Sequence, residues 1–253
     1  MSKSGIASNT LIVFGANIFS MLFGYGASAL VASQYGMAPE VDAFFIALPL
    51  PMISGYFILS VALVALVPHY QRLRSDLGLQ QAQKKVAPLF WATALLALIF
   101  SALLFIAADG FARVLAPGFD TQRHELLAEY LQIMSLAMPF LALSAFLQAI
   151  ENANNRFMRA AFARPLTSGM ALGTLTLFLM ESSLAYYFWG LAAGSAVAFF
   201  WQLKEVYRFG NMPLSLAGLS ETWRAVRRSA GWIALARAMG HTSEIALQMI
   251  ASL

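Results

Sequence analysis

The chain has 253 residues, 60% of them hydrophobic and 11% charged, with a mean hydropathy of +0.69, whereas a soluble domain carries about 25% charged residues. So much apolar surface excludes a water-facing fold, and the net charge of +4 does not indicate nucleic acid, because the basic residues sit between apolar runs and form no stripe. The absence of cysteine excludes disulfides, thiolate catalysis and Cys-based metal sites; His69, His124 and His241 lie far apart without ligand spacing, so neither metal nor cofactor is expected.

The pattern predicts an all-α integral membrane protein. Six spans of about 20 residues fit the length, at about residues 10–33, 43–67, 87–108, 126–150, 165–180 and 184–203. A cytoplasmic amphipathic connector, 204–231, and the start of a seventh helix, 232–253, complete the expected plan. Lys3 precedes a long apolar run with no small-residue cleavage site, which reads as a retained first helix. That helix carries Ser20, Gly24 and Ser28 at four-residue spacing, a small-residue stripe for close helix approach.

Between the first two spans stands Asp42, at the mouth of a run containing Pro49 and Pro51. Two readings stay open. Asp42 faces a transporter cavity lined by a broken helix, or it caps that helix through its side-chain oxygen. The second span is expected to end at Pro68, followed by a polar loop over residues 69–86 with Arg72, Arg74, Lys84 and Lys85. Trp91 reads as an interfacial anchor of the third span, Ala116-Pro117-Gly118-Phe119 as a turn, and residues 151–164 as a basic connection. Gly169 with Gly173 and Gly190 with Gly194 suit a tight hairpin of the fifth and sixth spans. In residues 221–228, Trp223 and Val226 are expected to face lipid while the arginines meet head groups.

With the N-terminus in the cytoplasm, thirteen basic residues of the alternate loops fall inside and two, Arg113 and Arg123, outside. That bias sets the orientation. No nucleophile with a base, phosphate loop or paired carboxylates is visible in the spans, so the chain reads as a non-enzyme. Arg237, His241 and Glu244 share one face of the final run, which either lines a polar cavity or snorkels to the interface.

Four motifs in register carry a family resemblance over essentially the whole chain. Phe19-Ser20 with Gly24, then Val41-Asp42-Ala43-Phe44-Phe45-Ile46-Ala47, Leu50-Pro51 and Val67-Pro68, resemble the N-terminal helix pair of the MurJ/MviN family of lipid-linked precursor flippases. Ala116-Pro117-Gly118-Phe119 is similar to that family's motif after the third helix. Gln148 to Phe157 and Ala161-Phe162-Ala163-Arg164-Pro165 are similar to its motif after the fourth.

The resemblance implies the multidrug/oligosaccharidyl-lipid/polysaccharide exporter superfamily. Its members have two six-helix lobes around a cavity and move an undecaprenyl-pyrophosphate-linked glycan, typically lipid II, across the bacterial inner membrane for cell-wall or surface polysaccharide synthesis. The chain then corresponds to the first lobe, and a second lobe, a second copy or a partner subunit is expected to complete the passage. The family's cavity arginines, suited to pyrophosphate, fall on Met21 and Ala27 and near Gly55 and Tyr56; a further one falls beyond Leu253. Asp42 is retained. The expected substrate-binding residues are therefore Asp42, Asn17, Ser28, Pro51 and Glu244. Two rivals stand beside this reading: a non-transporting remnant or assembly partner, and a drug/cation antiporter, which needs a carboxylate that residues 10–33 lack.

Overall fold

The computed structural model describes residues 3–36, 38–179, 183–209, 212–225, 227 and 231. Among them every regular element is helical: α1 (Lys3–Tyr35), α2 (Pro39–Ala47), α3 (Pro49–Val61), a π turn (Ala62–Leu66), α4 (Val67–Leu77), α5 (Leu79–Ile106), α6 (Ala108–Leu115), α7 (Thr121–Ala153), α8 (Phe157–Leu177) and α9 (Ala185–Phe209). Three stretches, Thr10–Tyr35, Leu79–Ile106 and Thr121–Ala153, are long and apolar enough to cross a membrane.

Those three differ in what surrounds them. The apolar window of α7 is 78% buried, against 11% for α1 and 22% for α5. Thus α7 is the central pillar, with α2, α3, α5, α6, α8 and α9 against it, while α1 and α5 leave Phe14, Leu22, Leu96 and Phe100 exposed. In a membrane protein such residues meet lipid chains without penalty.

The helix stack from α2 to α4 departs from the expected end at Pro68. Leu48, between α2 and α3, keeps helical dihedrals (φ −57°, ψ −44°), and its N–H reaches the Phe44 carbonyl at 3.1 Å. Pro49 and Pro51 therefore start a new helical segment, where a missing N–H costs least. Pro68 falls in the first turn of α4, directly after the π turn. The polar stretch expected as a loop over 69–86 is α4 and the start of α5, joined at Gly78, whose φ of +82° suits glycine.

Pro139 lies inside α7 and cannot bond the Ser135 carbonyl four residues earlier. Ser101 of α5 supplies the donor instead, its hydroxyl reaching that carbonyl at 2.6 Å in the interior. A sequence-imposed gap in one helix thus becomes a specific contact with another.

Small residues allow close approach, and of the four-residue stripe on α1 Ser20 takes part in it while Gly24 does not. The buried or half-buried face of α1 runs through Ala16, Ser20, Phe23, Ala27 and Val31, and the space beside Gly24 is open. Ser20 meets Ser168 at 3.2 Å, and Phe23 lies on Gly169 of α8. On α9, Gly190 and Gly194 both carry the contact: a Cβ on Gly190 would stand 2.7 Å from the Met170 carbonyl, and one on Gly194 2.9 Å from Thr167 Cα. Gly173 has open space beside it.

Residues 154–156 turn the chain between α7 and α8, with Asn155 at φ +59°, a region asparagine tolerates better than most residues. Because α8 begins at Phe157, Arg159 and Arg164 lie on a helix and not in a connection. At the other end α9 continues to Phe209, taking Lys204 out of the expected connector. Residues 212–225 fold back on α5: the Trp91 indole donates to the Pro213 carbonyl at 2.9 Å, and Thr222 Oγ1 to the Lys85 carbonyl at 3.0 Å.

Candidate functional site

An open cleft that mixes polar and apolar side chains lies between α1, α3, α7 and α8. Helical spacing builds its lining. Ser144 and Gln148 are one turn apart on α7, as are Arg164 and Ser168 on α8, with Thr167 between them and Ser20 facing from α1. Gly55 of α3 forms part of the wall and lets α3 approach α7 closely, a Cβ there standing 3.4 Å from Leu141 Cβ.

The cleft presents a guanidinium from Arg164, an amide from Gln148 and several hydroxyls. Thr167 donates to the Ala163 carbonyl at 3.0 Å within its own helix. Gln148 Nε2 donates to Ser144 Oγ at 3.4 Å, and Ser144 donates to Gln202 Oε1 of α9. Such a lining suits an anionic or hydroxyl-rich group, since guanidinium and amide N–H groups donate to its oxygens.

Behind the cleft lies a second pocket, lined by Arg74, Gln83, Glu151, Asn154, Arg156 and Glu205 among others. Glu151 is 2% exposed and accepts from Gln202 Nε2 through Oε2 at 3.2 Å. Arg159 pairs with Glu205 beside it. Asn154 Nδ2 donates to the Ile150 carbonyl at 2.8 Å and to Tyr70 Oη at 3.1 Å, tying α7 to α4.

The residues expected to bind substrate do not converge on the cleft. Asp42 pairs with Arg123 of the first turn of α7, Oδ2 to Nε at 3.4 Å, both partly exposed. It is not the helix cap: Ala38 occupies that position with no side-chain bond, and Asp42 lies in the first turn beyond it, where a carboxylate favours the helix dipole. Arg123 also stands over the Phe119 ring at 5.7 Å, and His124 Nε2 lies 2.9 Å from the Ala116 carbonyl, so the Ala116–Phe119 turn and the Asp42 pair form one cluster away from the cleft.

Asn17 is exposed and Ser28 half-buried on α1; neither lines the cleft. Pro51 belongs to α3, one turn before Gly55. Glu244, with Arg237 and His241, lies outside the described residues. Of the positions matching the family's first-helix arginines, Met21 is 62% exposed and Ala27 is 2% exposed, so they face opposite environments. Sequence reasoning missed Arg164, Gln148 and Ser144 as a group. The available signal was the four-residue spacing of polar side chains in two otherwise apolar runs.

Comparison with known proteins gives the family and the fold. The family model described as "Lipid II flippase MurJ" matches residues 31–253. A probable lipid II flippase MurJ of Buchnera aphidicola subsp. Schizaphis graminum is 24% identical over 197 residues, 76% of this chain and 38% of the relative. Another, from Rhizobium tropici, is 25% identical over 157 residues, 60% of this chain and 30% of the relative. The chain thus spans well under half the length of these curated relatives. Among solved structures, lipid II flippase MurJ in an inward closed conformation superimposes with a TM-score of 0.73 at 20% identity, over 88% of this chain and 47% of that one. A MATE protein in complex with MaD3S gives 0.72 at 15% identity, over 89% and 52%. At these identities the structural likeness speaks for the fold.

Proposed function

Since the chain belongs to the MurJ family of lipid II flippases, we propose that it forms one lobe of a flippase for an undecaprenyl-pyrophosphate-linked glycan and that the cleft at Arg164 receives the head group. The six long helical runs, α1, α2 with α3 and the π turn, α5, α7, α8 and α9, then each cross the inner membrane, with the N-terminus in the cytoplasm. A second lobe, from a further segment, a second copy or a partner subunit, closes the passage.

The observation that carries this reading is Arg164 in a cleft otherwise lined by hydroxyl, amide and apolar groups. An anionic head group in a cavity without cations would bear a large desolvation cost. Arg164 supplies a planar donor fork suited to phosphate oxygens, and so does for this chain what Met21 and Ala27 cannot. In the proposed orientation the cleft lies toward the cytoplasmic ends of α7 and α8, the side on which a lipid-linked precursor is assembled.

The test is depletion with complementation. Loss of the protein is expected to cause lipid II to accumulate, or surface polymer to disappear if that is the glycan carried. Arg164→Gln is expected to lower complementing transport about ten- to hundredfold, the range for losing a charge-assisted hydrogen bond, with Arg164→Lys recovering part of it. Unchanged transport in Arg164→Gln would remove the cleft from the pathway. The reading as a non-transporting assembly partner is favoured by the apolar residues at Met21 and Ala27, and it predicts that neither precursor nor polymer changes on depletion.

A further inference from the structure

The cleft and the pocket behind it are joined by side chains. Ser144, in the cleft wall, donates to Gln202 Oε1; Gln202 Nε2 donates to Glu151 Oε2; Glu151 lines the second pocket. Ser144, Gln202 and Glu151 are each no more than 4% exposed, so the chain runs through the packed interface of α7 and α9.

An amide has one accepting and one donating end, so this chain has a direction. While Glu151 is ionised it only accepts. Gln202 must turn its nitrogen toward Glu151 and its oxygen toward Ser144, and Ser144 must spend its single hydrogen on Gln202. Only the lone pairs of Ser144 then remain for the cleft, where Gln148 already donates to them. A proton on Glu151 lifts the constraint. The carboxyl can donate to Gln202 Oε1, the amide reverses, and Ser144 accepts from Gln202 and offers its hydrogen to the cleft.

Glu151 is built to hold such a proton. Its Oε1 is buried and accepts no hydrogen bond, and the same holds for Gln83 Oε1 and Asn154 Oδ1 in the same pocket. The Asn154 oxygen cannot exchange places with its nitrogen, because that nitrogen is needed by the Ile150 carbonyl. The charged groups facing Glu151 are Arg156 and Arg159 from the start of α8, Glu205 from α9 and Arg74 from α4. Two guanidinium groups line the pocket, and among the described residues no three His, Cys, Asp or Glu side chains cluster as metal ligands. Hard metal cations want six or more oxygens. A proton needs only one oxygen to hold it and one to receive its hydrogen bond.

We propose that Glu151 is a proton-binding site, and that its protonation reverses the Gln202 amide and turns Ser144 from an acceptor into a donor toward the cleft. The consequence for transport rests on the head-group reading above; the proton site and its link to Ser144 do not. Proton binding at the inner pocket would favour an anion in the cleft, and an anion in the cleft would favour the proton by the same factor.

The experiment is an infrared pH titration of the full chain in detergent, following the protonated-carboxyl band. The wild type is expected to show a band that titrates, disappears in Glu151→Gln and persists in Glu205→Gln. Gln202→Leu removes the amide donor from the ionised carboxylate and is expected to raise the midpoint by about one pH unit, the size of one hydrogen bond to an ionised group. Ser144→Ala takes one hydrogen bond to the amide from each protonation state and is expected to shift it less. A wild type without a Glu151 band at any pH at which the protein stays folded, or a midpoint indifferent to Gln202→Leu, overturns the proposal. Inorganic pyrophosphate binding to wild type and Arg164→Gln, measured separately, tests the head-group reading, so either can fail without the other.

Discussion

The two halves of α7 are used differently. In residues 121–138 the interior side chains are apolar or aromatic apart from Ser135, whose hydroxyl bonds back to the Gln132 carbonyl of its own helix. Leu127, Leu131 and Met134 are fully buried, and the Tyr130 ring packs at a tilt against Phe188, centroids 4.8 Å apart, which in turn meets Phe44 at 5.2 Å. In residues 139–153 the same helix buries Ser144 and Glu151 among Phe146, Leu147 and Ile150, and joins them to Gln202. Apolar contacts are non-directional and seal one end by area. Hydrogen bonds have direction, so the other end has a defined orientation that a proton or ligand can reverse.

The most severe way to break the sealed half is Phe44→Ala. Its ring is 1% exposed and touches Tyr187 at 5.0 Å as well as Phe188, so about 3–5 kcal/mol should be lost, read as a lower melting temperature in detergent. Ser101→Ala lies at the boundary between the halves. It leaves the Ser135 carbonyl without the donor that Pro139 made necessary, at a cost of about 1–3 kcal/mol in the same assay. Gly190→Ala should cost a similar amount, about 1–3 kcal/mol of overpacking against the α8 backbone. Gly24→Ala, with open space around it, should leave the melting temperature unchanged.

Smaller effects sharpen the contrast at the surface. Asp42→Ala should cost at most about 1 kcal/mol, because the Asp42–Arg123 pair is partly exposed, and added salt should shrink the difference from wild type. At His69, outside residues 43–67, burial and then the Arg72 guanidinium hold the imidazole below its ordinary value of 6.5. The unfolded chain therefore takes up the proton first. The contribution of His69 is complete above that value and is lost as pH falls through the lower folded one. His69→Gln should flatten the acid limb of a stability–pH curve, and an unchanged limb would remove His69 as its source.

Much of the fold was legible because apolar run length and turn chemistry are local properties. The Pro117-Gly118 turn, the Gly190 and Gly194 approach and the all-helical character required no knowledge of partners. The segment beyond Pro68 was misread because polarity was taken for a loop, whereas α4 is a helix that continues the stack and buries Tyr70 on one side. Asp42 was noticed for the motif it belongs to, but its partner, Arg123, is 81 positions away. The cleft was not visible at all as a unit, since Ser20, Ser144, Gln148 and Arg164 are individually ordinary residues on three different helices.

By itself the order of amino acids determined that this chain is a helical membrane protein of the MurJ family, because hydropathy, proline and glycine act over one or two turns. Which polar residues face one another was decided only by the packing of α1, α3, α8 and α9 around α7. A side chain's partner depends on the rotation and depth of two helices at once, and no single stretch of sequence contains either.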